Sequence, residues 1–398
     1  MESELKILLS FKEYSKLLSF CDKKPTKQTN SYFFIKKDVM IRIREKGNKA
    51  EVTCKKRIEK KKNVYLNEEI NVKISQKELE KFFSEGISTV FIKKHFGIEL
   101  QNKLTCLGKM DTYRSNANLV GFFAELDRNE YLFTTDFELE FESFDDKRIA
   151  ELKKLLKRIG INERKSKPKS QRFAERELLL NTKRYETVLF DFDGTICDSA
   201  FAIKKSLTKI CQAFGKDISG LDINKYIGPP LVKIFEDIFD DENIVNEALA
   251  LSAKISKQEG IEKSKIYDGI LECFKLLKNC GARIGIASSR KVTSIWQILE
   301  NVDLDKYIDF AYGTQPNRLE KSDSIKTAID EQKIDAKKCL MIGDRFFDLE
   351  AAKICGIDGA AVLYGFGTAE ELFDINNVAV LKTTMELKEF LKNVTAVY

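Results

Sequence analysis

The sequence has little of several features on which many enzymes depend. Its 398 residues include a single histidine, His95, which excludes a His-rich zinc site and leaves no Ser-His-Asp triad unless His95 alone served it. The nine cysteines are scattered and form no Cys-x-x-Cys pair, so we expect reduced thiols. Acid–base chemistry must therefore fall to carboxylates, lysine or tyrosine.

Long apolar runs are also missing. No stretch of about 18 apolar residues occurs, and no apolar signal-peptide region follows the acidic first residues. We therefore expect no membrane span and a cytoplasmic location. With only 5 Pro, 43% hydrophobic and 33% charged residues, the composition is that of a globular chain. A length of 398 residues, at about 100–200 per domain, predicts two or three domains.

The net charge of +6 hides an asymmetry between the two halves. Residues 1–184 carry +13 and residues 185–398 carry −7. This difference favours two domains with different roles, of which the basic one would attract a polyanion such as nucleic acid, polyphosphate or an anionic membrane surface.

The hydrophobic pattern changes at the same place, near Arg184. After it, short apolar runs at 188–190, 284–287, 340–342 and 360–363 alternate with helical patterns, which predicts buried parallel strands in an α/β fold. Before it, charged and apolar residues alternate, which predicts antiparallel strands with one charged face. We therefore place the domains at 1–180 and 185–398.

The strongest local motif follows the first apolar run of the second domain. Asp191 and Asp193, separated by one residue and followed by Gly194 and Thr195, can hold a divalent cation while one carboxylate attacks phosphorus. Ser288 can donate to a phosphoryl oxygen, Lys321 supplies positive charge, and Asp344 and Asp348 add carboxylates suited to Mg²⁺. Such a set predicts phosphoryl transfer at the carboxyl ends of parallel strands.

These motifs resemble those of haloacid dehalogenase-like hydrolases, and more narrowly of their phosphoglycolate phosphatase-like group. The resemblance implies a Rossmann-like core with an inserted helical cap at about 199–265. It implies that Asp191 is the nucleophile and Asp193 the general acid and base, that Ser288 and Lys321 bind the phosphoryl group, and that Asp191, Asp193 and Asp344 hold Mg²⁺. Asp348 and Thr195 would support that site.

The first domain repeats charges of both signs at alternate strand positions. Glu2, Glu4 and Lys6 open the chain, and the other positions are Arg42, Arg44, Lys55, Arg114, Glu138 and Glu140. The charged side of a single strand of this kind usually belongs to the solvent-exposed face of an antiparallel sheet. If these strands closed into a barrel with the charges inside, helices such as 75–83 and 147–160 would cover the apolar outside, and the interior would pair a metal-binding acidic cluster with cations suited to phosphates.

This arrangement resembles the adenylate cyclase and thiamine triphosphatase-like (CYTH) family of triphosphate tunnel metalloenzymes. The resemblance implies that Glu2, Glu4, Glu138 and Glu140 hold Mg²⁺ or Mn²⁺. It implies that Lys6, Arg42, Arg44, Lys55, Arg114 and Lys169 bind a triphosphate. For a further carboxylate on a middle strand Glu69 is the candidate, Glu68 and Asp127 compete with it, and none of the three is assigned a firm role.

Together these features predict a two-domain phosphohydrolase that acts on small phosphorylated substrates. The second domain would cleave a phosphomonoester or pyrophosphate, and the first would bind and hydrolyse a triphosphate. Two alternatives make the first domain a polyphosphate or nucleotide sensor, or a nucleic-acid-binding module. The second of these is disfavoured because its cations lie on strands and no nucleic-acid motif occurs.

Overall fold

The computed structural model describes residues 3–21, 23–36, 38–61, 64–143, 145–217, 220, 223–259, 265–313, 315, 320–375 and 377–395, without the side chains of residues 3, 4, 57–61, 64–67, 223, 224 and 256–259. The chain divides into two compact units, Met1–Leu179 and Leu180–Tyr398. Among the described residues, no helix is both long and apolar enough to cross a membrane.

The first unit is built on one eight-stranded antiparallel sheet. Its strands are β1 (Ser3–Leu9), β2 (Thr26–Lys36), β3 (Val39–Lys46), β4 (Lys49–Lys61), β5 (Val64–Ile74), β6 (Gly108–Leu119), β7 (Phe122–Tyr131) and β8 (Thr134–Ser143). They lie in the order β1-β8-β7-β6-β2-β3-β4-β5. The two edges of this order are β1 and β5, and no pairing between them is found within the described residues. Closure into a barrel therefore stays a prediction.

Helices cover the apolar face of this sheet. They are α1 (Phe11–Leu18), α2 (Gln76–Glu85), α3 (Thr89–Phe96) and α4 (Asp146–Arg158). A fifth helix, α5 (Lys169–Thr182), ends in the second unit, and its Phe173 packs against Tyr32 and Tyr131 on the other face of the sheet. Capping boxes at Ser10 and Ser75 fix the starts of α1 and α2. Phe82 and Ile92, on α2 and α3, pack with Ile41, Ile43 and Val52 of the sheet in one buried cluster. The apolar half of the strand alternation is thus buried.

The charged half of the alternation lies on the opposite face. Cross-strand partners point to the same side of a sheet, and Lys6 pairs with Glu140, Glu138 with Asp127, and Asp127 with Arg114. Residues two apart on a strand also share a face, so Asn30 lies on the side of Arg114 through Thr26, and Arg44 lies opposite Asn30. By the same rule Arg42 and Lys55 lie on this face. The register therefore assembles the described charged candidates of the first domain on one surface.

The second unit is built on a six-stranded parallel sheet. Its strands lie in the order β13 (Phe310–Tyr312), β12 (Arg283–Ala287), β9 (Thr187–Phe190), β14 (Cys339–Gly343), β15 (Asp358–Val362) and β16 (Ala379–Leu381), and β10 (Cys197–Asp198) pairs separately with β11 (Lys265–Ile266). The helices are α6 (Ala200–Ala213), α7 (Leu231–Ile238), α8 (Glu242–Glu259), α9 (Ile270–Asn279), α10 (Val292–Asn301), α11 (Lys321–Gln332), α12 (Phe346–Ile354), α13 (Ala369–Leu372) and α14 (Thr384–Val394).

Three of these helices form a small layer of their own between β10 and β11. Residues of α6, α7 and α8, including Leu207, Phe235 and Ala248, pack into a buried cluster. The chain enters this helical segment directly after Asp191 and Asp193 and returns at β11. Because β9 lies in the middle of the sheet, its carboxyl end is flanked by the loops after β12 and β14. This edge of the sheet is where the polar candidates of the second domain meet.

Candidate active sites

Three buried aspartates meet at the carboxyl edge of the parallel sheet. Asp191 follows β9, Asp344 follows β14 and Asp348 lies in the first turn of α12, and one carboxylate oxygen of each lies within 4.8 Å of the others. Two glycines make room for them. Gly194 has a φ of 83°, and an added Cβ at either Gly194 or Gly365 would collide with the Asp344 side chain. The local backbone is thus shaped around Asp344.

Lys321 supplies positive charge to this cluster. Its ammonium lies 2.8 Å from Oδ2 of Asp191 and also contacts Oδ1 of Asp348. Burial opposes the charge of Lys321, but the two carboxylates outweigh it and raise the pKa of the lysine. Burial also raises the pKa of Asp191, to about 6, against the lowering effect of Lys321. Lys321 therefore offsets only part of the charge of the cluster.

A divalent cation fits the remaining oxygens. Oδ1 of Asp191 is buried and accepts no hydrogen bond from the described residues. Asp344 accepts from Thr195 Oγ1 at 3.1 Å and from the Phe366 amide at 2.8 Å, yet burial and its two carboxylate neighbours hold its pKa well above its ordinary value. Closely spaced carboxylates with an unbonded oxygen are a donor set suited to a hard cation such as Mg²⁺. These residues therefore fit the predicted metal.

Asp193 is not one of the three clustered aspartates, and its carboxylate is held by Arg290. The guanidinium donates from Nε to Oδ2 at 2.9 Å and from Nη2 to Oδ1 at 2.6 Å. Burial would raise the pKa of Asp193, but the charge of Arg290 and its hydrogen bonds lower it. Ser288 is buried beside this pair, and its Oγ accepts from the Arg290 amide at 3.3 Å. The predicted residues of the second domain thus lie at one edge, with Arg290 among them.

The helical layer reaches this edge through Arg345, which lies between Asp344 and the first residue of α12. Its guanidinium donates to Glu371 at 2.8 Å and to the carbonyl of Ile227, in the loop before α7. Gly228 has a φ of 108°, and a Cβ there would come within 3.2 Å of the Arg345 side chain. A contact between the helical layer and the sheet layer is therefore built next to the aspartates.

In the first unit, three carboxylates likewise meet on the charged face. Oxygens of Asp127, Glu138 and Glu140 lie within 4.8 Å of one another. The ammonium of Lys169, at the start of α5, is 2.8 Å from Asp127, 2.9 Å from Glu138 and 2.7 Å from Glu140. The carboxylates raise the pKa of Lys169 against the effect of burial.

Two arginines and a lysine surround this cluster. Arg114 binds Asp127 through Nε at 2.7 Å and Glu140 through Nη2 at 2.8 Å, and Lys6 lies 3.4 Å from Glu140. Arg172, on α5, donates from Nη2 to Glu138 at 3.0 Å and also binds Asp136. Burial would raise the pKa of Glu138, but Lys169 and Arg172 lower it to about 2.

The remaining candidates lie further along the same face. Arg44 donates from Nε to Oδ1 of Asn30 at 3.3 Å, and Lys55 lies 3.9 Å from Glu69. Arg42 is buried, and its Nε, like Nδ2 of buried Asn30, finds no hydrogen-bond acceptor among the described residues. Glu2 and the side chain of Glu4 lie outside the described residues, so the predicted roles of these two glutamates stay predictions.

Comparison with known protein families finds a match for each half of the chain. Residues 188–362 match the family model described as haloacid dehalogenase-like hydrolase, and residues 1–174 match the CYTH domain model. The chain belongs to the haloacid dehalogenase-like hydrolases and carries a CYTH domain.

Proteins similar to the hydrolase domain include two named phosphohydrolases and a tyrosine-protein kinase, PtkA from Mycobacterium tuberculosis, which is 27% identical over 211 residues, 52% of this chain and 72% of the kinase. A 5'-nucleotidase from Pseudomonas aeruginosa is 31% identical over 193 residues, which cover 48% of this chain and 87% of the nucleotidase. Pyrophosphatase PpaX from Listeria monocytogenes is 26% identical over 216 residues, 53% of this chain and 99% of the pyrophosphatase. A predicted phosphatase from Clostridium acetobutylicum has a solved structure with 32% identity, a TM-score of 0.49, and coverage of 52% of this chain and 97% of its own.

Sequence reasoning missed two arginines and left one carboxylate undecided. Arg290 follows Ser288 by two residues, just as Asp193 follows Asp191, and the strands before them, β12 and β9, are neighbours. The equal spacing would have indicated a contact between Arg290 and Asp193, but only if the pairing of these strands had been known. Arg172 was visible only as part of the segment after Lys169. Among the three candidates for the middle-strand carboxylate of the CYTH domain, the structure brings Asp127 to Glu138 and Glu140, while Glu69 lies beside Lys55.

Proposed function

We propose that the hydrolase domain is a divalent-cation-dependent phosphatase that uses Asp191 as a nucleophile. The observation that carries this proposal is the buried cluster of Asp191, Asp344 and Asp348, in which Lys321 binds one oxygen of Asp191 while the other accepts no hydrogen bond from the described part of the chain. Membership of the hydrolase family supports the same role. A nucleophile with one free oxygen beside fixed positive charge is what phosphoryl transfer requires.

The proposed reaction has two steps. In the first, Asp191 attacks phosphorus, the bond to the leaving oxygen breaks, and that oxygen takes its electron pair and a proton from the carboxyl of Asp193. In the second, water attacks the aspartyl phosphate, Asp193 takes a proton from the water, and the bond between phosphorus and Asp191 breaks with its electrons returning to the carboxylate. The net change is hydrolysis of one phosphate ester or anhydride bond.

Ser288 and Lys321 would hold the phosphoryl oxygens during both steps. Asp191, Asp344 and the backbone carbonyl of Asp193 would hold Mg²⁺, with Asp348 and Thr195 fixing Lys321 and Asp344 in place. The bound cation would neutralise charge that develops on the phosphoryl oxygens. The helical layer would cover the substrate and exclude bulk water, apart from the water molecule that reacts in the second step.

The relatives support a substrate class. A 5'-nucleotidase and a pyrophosphatase are both similar to this domain, and we propose that a phosphomonoester or pyrophosphate is cleaved. The test is phosphate release from pyrophosphate, nucleoside monophosphates and small phosphomonoesters, with and without Mg²⁺. Asp191→Asn should abolish release, whereas Asp330→Asn, an exposed aspartate on α11, should leave it unchanged. Release by Asp191→Asn at the wild-type rate would refute the proposed nucleophile.

We further propose that the CYTH domain binds a triphosphate and hydrolyses it with a divalent cation, Mg²⁺ or Mn²⁺, held by Glu138 and Glu140 together with Glu2 and Glu4. Lys6, Arg42, Arg44, Lys55, Arg114 and Lys169 would contact the phosphates. Support comes from Arg42 and Asn30, whose buried donors lack acceptors among the described residues on the face that also carries the acidic cluster. A buried donor without an acceptor is destabilising, and a phosphate oxygen would satisfy it.

A second candidate function for the CYTH domain is phosphate sensing without catalysis. It is favoured by Lys169, whose ammonium already contacts all three carboxylates of the cluster. Tripolyphosphate separates the two functions. A catalytic CYTH domain should release phosphate from tripolyphosphate in the Asp191→Asn variant and lose that activity with Glu140→Gln. If Asp191→Asn abolishes phosphate release from every substrate while tripolyphosphate still binds to the protein, the CYTH domain is a sensor.

A further inference from the structure

We infer that Arg290 is a positioning residue that holds the carboxyl group of Asp193 toward the leaving oxygen of the substrate. This inference rests on the proposed role of Asp193 as the proton donor. The two N–H···O contacts, at 2.9 Å and 2.6 Å, engage both carboxylate oxygens and so fix the plane of the carboxyl group as well as its place. Each carboxylate oxygen has a second lone pair, so the group can still carry and transfer a proton.

Arg290 is itself held from several sides. Its amide donates to Ser288 Oγ at 3.3 Å, its Nη1 donates to Ser294 Oγ at 3.3 Å, and its guanidinium lies 5.6 Å from the centre of the Phe192 ring. Gly313 also contributes, because a Cβ at that position would collide with the Arg290 carbonyl. A side chain fixed in this way can transmit a fixed orientation to its partner.

The topology explains why these two residues meet. Strands β9 and β12 are parallel neighbours, with Phe190 opposite Ile286, so the chain leaves both strands at the same level. Asp193 lies three residues beyond Phe190, and Arg290 lies four residues beyond Ile286. Both side chains are largely buried, with 13% and 17% of their surface exposed. Water therefore competes little for either partner.

An alternative role for Arg290 is direct binding of the transferring phosphoryl group. The two shortest of its side-chain hydrogen bonds go to Asp193 and its Nη1 donates to Ser294, so the geometry favours orientation of Asp193. The two roles differ in one measurable respect. Proton donation matters for a poor leaving group such as an alkoxide and matters little for p-nitrophenolate, whereas phosphoryl binding matters equally for both.

The experiment compares kcat/KM for an alkyl phosphomonoester and for p-nitrophenyl phosphate, since kcat/KM reports the step that expels the leaving group. Arg290→Met should lower kcat/KM for the alkyl ester about 10- to 100-fold more than for p-nitrophenyl phosphate. This difference is smaller than the ~10²–10⁴-fold effect of a general acid, because the variant misorients Asp193 without removing it. Asp193→Asn should show the same preference more strongly. Arg290→Lys keeps the positive charge but loses the planar guanidinium that binds both carboxylate oxygens. Its ratio of the two kcat/KM values should lie between those of wild type and Arg290→Met.

Controls separate this inference from the proposed function. Arg283→Met removes a guanidinium from the opposite end of β12 and should leave the ratio of the two kcat/KM values unchanged. Equal losses on both substrates, or no loss with Arg290→Lys and Arg290→Met, would overturn the positioning role while leaving Asp191 as the nucleophile. If Asp193→Asn lacks the leaving-group preference, or Asp191→Asn stays active, the proposed function itself fails.

Discussion

At the residue scale, Gly194 shows how closely the backbone of the phosphatase site is fitted to its carboxylates. Its φ of 83° lies in the left-handed region, and the space that a side chain would need is occupied by Asp344. The tight Asp-x-Asp-Gly turn therefore depends on the absence of a Cβ. The motif could be recognised from the sequence, but the contact that requires the glycine could not.

Replacing Gly194 by alanine should displace Asp344 and lower both Mg²⁺ affinity and phosphatase activity. Gly215→Ala is a matched control, because Gly215 has a φ of 68° and nothing within 4 Å of an added Cβ. Each change should cost about 1–2 kcal/mol of backbone strain. Magnesium titration by calorimetry and phosphate release should show a loss only for Gly194→Ala. Equal activity of the two variants would refute the steric account.

Lys169 holds three carboxylates in the CYTH domain, and its removal should leave buried negative charge without a partner. Lys169→Met should lower the stability of this domain by about 3–5 kcal/mol. Lys167→Met, which removes an exposed lysine that contacts Glu175, should cost less than about 1 kcal/mol. Hydrogen exchange of peptides from β7 and β8 measures this without interference from the hydrolase domain. Similar protection in both variants would show that Lys169 is not a buried counter-charge.

At the scale of elements, strand alternation could be predicted from the sequence and strand pairing could not. Ile41 and Ile43 alternate with Arg42 and Arg44, and the structure buries the isoleucines under α2 and α3, as this pattern predicts. The alternation does not say which strands are neighbours. For that reason the sequence could not show that Asp127, rather than Glu69, lies beside Glu138 and Glu140, and the partnership of Arg290 with Asp193 was missed.

The covering helices should be as important for the CYTH domain as the strands. Phe82→Ala on α2 removes a buried ring that packs against the sheet, and it should cost about 3–5 kcal/mol. Val90→Ala on α3, where the side chain is 73% exposed, should change stability by less than about 0.5 kcal/mol. Hydrogen exchange in β3 and β4 would reveal the difference. Unchanged exchange in Phe82→Ala would contradict the role of α2 as a cover.

At the scale of the whole molecule, the charge asymmetry and the change in hydrophobic pattern both predicted two domains. The two matched family models, at 1–174 and 188–362, lie on either side of the change. The domain boundaries at 180 and 185 and the cap at 199–265 stay predictions, as does the cytoplasmic location. The sequence could not give the specificity of either site, because pocket shape depends on side chains brought together from distant parts of the chain.

The fusion of two phosphate-processing domains raises the hypothesis of a relay, in which the hydrolase domain cleaves a product of the CYTH domain. Its motivation is the compatible chemistry of the two proposed reactions. Product analysis of each single-site variant tests it. If no product released by Asp191→Asn is a substrate for Glu140→Gln, the relay is wrong.

The most direct test of the central claim is to look for the covalent intermediate on Asp191. The full chain would be mixed with substrate and Mg²⁺, quenched in acid during turnover, digested, and examined by mass spectrometry. With p-nitrophenyl phosphate, whose leaving group needs little protonation, the account predicts a peptide containing Asp191 that carries one added phosphoryl group. This species should accumulate further in Asp193→Asn, because the second step still needs Asp193 as a base. Phosphate release without any phosphorylated Asp191 in either protein would contradict it.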